Sequence, residues 1–136
     1  MKKIAIAFSL FTLLSSHACN KNAGSMSDPL NKKWVFQRIN GENVSVPDGF
    51  ETPWLQLAGD QLTGFGGCNS LMGEYKLGSG SLSFPRVGST KKYCEATQST
   101  ENAIKQALGA VDGYKMEDGL LKLMGGGKEL AALKGE

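Results

Sequence analysis

Short apolar–polar alternations run through the chain from residue 33 onward. In KWVFQRI (33–39), Trp34, Phe36 and Arg38 alternate with Val35, Gln37 and Ile39, and NGEN closes the run. PWLQLAG (53–59) sets Leu55 and Leu57 against Trp54, Gln56 and Ala58, and Gly59-Asp60 turns the chain into QLTGFG. GEYKLGSGSLSF (73–84) reads as a hairpin turning at GSGS. YKMEDGLLKLM (114–124) carries Asp118-Gly119 between alternating apolar residues, a two-residue hairpin signal, and GGGK then leads into ELAALK. Period-two patterning with glycine punctuation predicts half-buried β-strands.

One segment changes period. In TQSTENAIKQALGAV, Thr100, Ala103, Ile104, Ala107, Leu108 and Val111 recur at helical spacing, which predicts a single α-helix with one apolar face. Glu101 and Lys105 stand four apart with the acid first, an ion pair expected on the solvated side. Thr97 or Ser99 is the expected N-cap, and Gly109 or Gly113 the expected stop. The expected class is therefore α+β, mainly antiparallel. It is a curled sheet or open barrel of about seven strands, with the helix following the fourth or fifth and covering one opening.

The N-terminus follows a different logic. Lys2 and Lys3 precede IAIAFSLFTLL, an apolar run of eleven residues. Spanning a bilayer takes about 20 apolar residues, so the run fits the core of a secretory signal instead. Ala18-Cys19 follows, and this site resembles the lipobox of bacterial lipoproteins, with Ser16 where leucine is usual. Ordinary signal cleavage after Ala18 is the alternative. The organisation expected is a signal over 1–18, a polar flexible tether over 19–31 with lipid on Cys19, and one folded domain over 32–136. Asn20 after the cysteine favours the outer membrane. The chain carries fifteen basic and thirteen acidic residues, and losing Lys2 and Lys3 leaves the mature protein near neutral. Nucleic-acid binding needs a clustered basic face, which this sequence lacks.

Composition also narrows the chemistry. The only histidine is His17, within the signal, so the mature chain lacks the usual base of a Ser-His or Cys-His nucleophile and the usual nitrogen ligand for zinc. No metal or cofactor is expected. With Cys19 taken by lipid, Cys68 and Cys94 remain as an even pair in an oxidising compartment, where a disulfide is expected over two free thiols. Glu74, Glu95, Glu101, Asp112, Glu117 and Asp118 could supply an acid–base pair, but Glu101 reads as a solvated helix residue and Asp118 as a turn residue. No enzymatic activity is expected. Trp34, Trp54, Phe65, Tyr75, Phe84, Tyr93 and Tyr114 either fill the core or line a small apolar cavity.

GFGGCNSLMGEYKL, then GSTKKYC, then a helix with an early glutamate, resembles the META/HslJ domain family. The matching positions are Gly67, Cys68, Asn69, Gly73 and Tyr75, then Thr90 and Cys94, then Glu101, then Leu121 and Leu123 in the closing hairpin. The resemblance spans residues 33 to 133. It implies an antiparallel, barrel-like domain, often exported or lipid-anchored, with a structural role for these motif residues. The function expected is a non-catalytic adaptor or stress-associated envelope lipoprotein that meets the membrane through its anchor and another envelope protein through its surface. A small barrel holding a lipid or other apolar ligand is the alternative, and a carboxylate-dependent hydrolase the remote one.

Overall fold

A computed structural model describes residues 28–136; the expected signal over 1–18 and the expected lipidation site Cys19 lie outside the described residues. The first strand, β1 (Lys33–Ile39), shows how sequence pattern becomes sheet. Trp34 and Phe36 point into the core as the alternation predicts, but Ile39, not Arg38, is the next inward residue. The register of β1 against the last strand shifts between Phe36 and Arg38. A bulge there inserts one residue and flips the inward phase, and Arg38 is freed to meet Glu129 outside.

The described residues form nine strands and one helix. After β1 come β2 (Glu42–Asn43), β3 (Trp54–Ala58), β4 (Gln61–Phe65), β5 (Ser70–Leu77) and β6 (Leu82–Ser89). The helix α1 (Gln98–Ala110) follows, then β7 (Gly113–Glu117), β8 (Leu120–Gly125) and β9 (Lys128–Gly135). The α+β curled antiparallel sheet is as expected. The count exceeds the expected seven partly because β2 is a two-residue strand paired only to β1, and the helix follows the sixth strand. The first long hairpin is also larger than its pattern suggested, since β5 begins at Ser70 and β6 runs on to Ser89.

Every pairing is antiparallel, in the order β6-β5-β4-β3-β1-β9-β8-β7. The sheet curls until its two end strands nearly meet. They touch only at one bridge, Ser81 to Gly113, which leaves an open seam. The helix α1 packs against β6 beyond that bridge and turns Ile104, Ala107 and Leu108 into the core of the curled sheet, all buried. At the opposite end Leu30 is fully buried and accepts a hydrogen bond on its carbonyl from the Trp34 indole N–H at 2.9 Å. The folded unit therefore starts by Asp28, earlier than the expected Lys32.

The helix ends differ from the sequence expectation. Thr97 is the N-cap, but its side chain makes no capping bond, and its hydroxyl is buried without a partner. Ser99 lies inside the helix. Gly109 falls within the last turn, Val111 is the extended C-cap residue, and Gly113 opens β7.

Candidate functional site

Among the described residues, the one strongly buried charge sits where β4 turns into β5. Gly66 and Gly67 lead out of β4, and Gly67 adopts φ +112°, a conformation that favours glycine. Cys68 and Asn69 complete the corner. From the other side α1 brings in Glu101, whose side chain is fully buried. Its carboxylate passes so close to Gly66 that a Cβ there would lie 2.8 Å from Glu101 Cγ.

Four donors converge on that carboxylate. Oε2 accepts from the backbone N–H of Asn69 at 2.7 Å and of Cys68 at 3.2 Å. Oε1 accepts from Asn69 Nδ2 at 2.7 Å and from Lys105 Nζ at 3.4 Å. Burial alone would raise the Glu101 carboxyl, but the bonds from the Asn69 side chain and backbone, the Cys68 backbone and Lys105 outweigh it and hold the group below the ordinary glutamate value. Glu101 is thus not the solvated residue its charge suggested, although its pair with Lys105 does form. Its position carried a signal. Thr97, Glu101, Ile104, Leu108 and Val111 fall on one stripe, so the glutamate stands in line with the core.

Asn69 extends the network beyond its own backbone. Nδ2 also donates to the Lys92 carbonyl at 3.0 Å, and Oδ1 accepts from the Lys92 N–H at 2.6 Å and from Thr90 Oγ1 at 2.8 Å. Thr90 Oγ1 accepts in turn from the Ser70 N–H at 3.2 Å. Cys68 and Cys94 form a disulfide that joins the corner to the segment just before α1. Six motif positions, Gly67, Cys68, Asn69, Thr90, Cys94 and Glu101, therefore meet in one place. A family model, the META domain, matches residues 28–136. The chain belongs to the META domain family.

The solved structures agree at the level of fold. The META domain is similar to the NMR structure of a protein from Burkholderia xenovorans, with TM-score 0.62 and 27% identity, over 78% of this chain and 82% of that one. A second NMR structure matches with TM-score 0.61 and 20% identity, over 77% of this chain and 89% of that one. No curated protein matches the chain.

The remaining motif positions lie elsewhere in the META domain. Gly73 stands in β5 opposite Leu62 and Val87, and Leu121 and Leu123 are core residues of β8. Tyr75 is buried and donates its hydroxyl to Asp28 Oδ2 at 2.8 Å, which pins the incoming chain to the sheet. Burial, that bond and the charges of Asp28 and Asp60 push the phenol up to about 12. Of the aromatics expected in the core or a cavity, Trp34, Tyr75 and Phe84 are buried, Trp54, Phe65 and Tyr114 are half-buried, and Tyr93 is 78% exposed.

The other candidate carboxylates are dispersed. Glu117 and Asp118 share Lys122, at 3.0 and 3.8 Å, and the bond from Lys122 holds Glu117 below its ordinary value. Asp112 accepts from the Gly126 N–H at 3.1 Å. Glu74 and Glu95 are exposed. An open-sided groove of about 430 Å³ lies at the helix end, between the β1–β2 hairpin and α1, with Ile39, Asn40, Val44, Ser99, Thr100 and Ala103 in its walls.

Proposed function

We propose that this META domain is an exported, lipid-anchored adaptor of the bacterial cell envelope that catalyses no reaction. Cys19 carries the lipid, most simply in the outer membrane, and the domain acts by contact with another envelope protein. The observation that carries the non-catalytic part is the saturation of Glu101. Each of its oxygens already accepts two hydrogen bonds, from Cys68 and Asn69 on one side and from Asn69 and Lys105 on the other. A carboxylate has about four lone-pair sites, so none is left to take a proton from a substrate. The two sulfurs beside it are joined to each other, which takes away the nucleophile. What supports an adaptor over a ligand-holding barrel is that Trp34, Phe36, Leu57, Leu82, Ile104 and Leu123 already fill the interior.

The groove between α1 and the β1–β2 hairpin favours a second reading, in which a small ligand sits on the outside of the barrel. Native mass spectrometry of the lipidated protein, purified in detergent from its own envelope, separates the two. A stoichiometric protein partner supports the adaptor. A co-purifying small molecule displaced by Ala103→Trp supports the groove. Turnover of an envelope polymer, lost in Glu101→Gln with the fold intact, overturns the non-catalytic reading.

A further inference from the structure

We infer that the domain stands on the bilayer with its tether end down, and that Leu77 and Met116 rest at headgroup depth. This rests on the reading that Cys19 is lipidated. The chain enters the barrel at Asp28–Leu30, beside the start of β1. Because neighbouring strands alternate in direction, the same end holds the finish of β5, the β5–β6 hairpin, the finish of β7 and the C-terminus. The helix α1 begins at the other end, next to the exposed loop of Lys91, Lys92 and Tyr93.

Among the described residues, two of the five exposed large apolar side chains lie at the tether end. Leu77 closes β5 and is 40% exposed; Met116 lies near the end of β7 and is 48% exposed. The bridge from Ser81 to Gly113 runs antiparallel, so β7 continues from it alongside the β5–β6 hairpin and carries Met116 toward Leu77. Each is preceded by an exposed lysine, Lys76 and Lys115, and neither lysine has an ion-pair partner among the described residues. Lysines of this kind lay their methylene stems along apolar surface and lift the ammonium to the phosphate level. A flexible methionine suits an irregular lipid surface.

The anchor makes so small a contact sufficient. Eight residues, 20–27, separate Cys19 from Asp28. Stretched fully they reach about 30 Å, and as a flexible coil they span about 16 Å. The tether end is therefore held at the bilayer, and a weak insertion becomes intramolecular, with an effective concentration on the order of millimolar. The acids on this end, Asp28, Asp60, Glu117, Asp118 and Glu136, offset its lysines, Lys32, Lys33, Lys76, Lys115 and Lys134, so apolar contact rather than anionic lipid sets the orientation.

The test uses lipidated protein reconstituted into vesicles of phosphatidylethanolamine and phosphatidylglycerol. An environment-sensitive probe is placed at Leu77→Cys, Met116→Cys or Tyr93→Cys, with the native disulfide intact. Spin-labelled lipid should quench the probes at 77 and 116 several times more than the probe at 93, with little change in high salt. In a Ser79→Cys reporter, adding Leu77→Asp and Met116→Asp should remove the quenching while the protein still floats with the vesicles. Flotation with equal quenching at all three sites, or strongest at 93, overturns the orientation alone. Failure to float overturns the anchoring and the orientation with it.

Discussion

At the helix end of the curled sheet, the Glu101 carboxylate and the disulfide join segments 26 to 33 residues apart in sequence. At the tether end, two of the bonds that hold the entering chain are local: Leu30 N–H to Asp28, and the Trp34 indole to the Leu30 carbonyl, separated by two and four residues. Tyr75 to Asp28 reaches across the chain there, as do the Glu136 N–H to the Lys33 carbonyl and the exposed Lys33–Glu136 pair, both at 3.0 Å. The contrast follows from what each end must hold. A helix lying across a sheet opening has no ladder to fix its position, so a buried charge and a covalent bond take that role. The entering chain continues directly into β1, whose backbone bonds to β3 and β9 already fix it. Long-range polar closure costs more when broken, because it strands several buried donors at once.

That asymmetry can be broken piece by piece. Glu101→Ala leaves the Cys68 and Asn69 donors buried and unpaired, and should cost about 4 kcal/mol in urea unfolding. Replacing Cys68 and Cys94 together by serine releases a closure of 26 residues and should cost roughly 3.5 kcal/mol, read from the same titration with and without reductant. At the tether end, Tyr75→Phe removes one bond to a carboxylate and should cost about 1.5 kcal/mol, and Asp28→Asn should add little in the Tyr75→Phe background.

The ends should also differ in pH response. Glu101 ionises more readily folded than unfolded, so its stabilisation is complete above the ordinary glutamate value and is lost as pH falls through the lower folded value. Tyr75 has the opposite sign: its raised value gives stability present below pH 10 and lost as pH climbs toward about 12. Thermal melts across pH should show Glu101→Gln flattening the acid limb and Tyr75→Phe flattening the alkaline one.

Most strands were legible because one buried face imposes alternation, and Leu55, Leu57, Leu121 and Leu123 are buried where the pattern put them. The bulge in β1 was not legible, since a single extra residue leaves no mark in composition yet reverses which side chains face inward. The cysteines and Asn69 were visible as motif positions, but their meeting with Glu101 was not. A charged residue on an amphipathic helix reads as solvated until its place on the apolar stripe is weighed above its charge. The role of Asp28 was hidden for the converse reason. It lies in a stretch whose small polar residues read as tether, and only the position of Tyr75 in three dimensions gives it a partner.

The open seam leaves two strands without a neighbour along most of their outer edge, and unpaired edges invite other chains to add on. The β6 edge is guarded by α1 and by Pro85, which has no N–H to offer an incoming strand. The β7 edge is only five residues long and carries Lys115 and Glu117. Protection against self-association is thus built into the same gap that makes room for the helix.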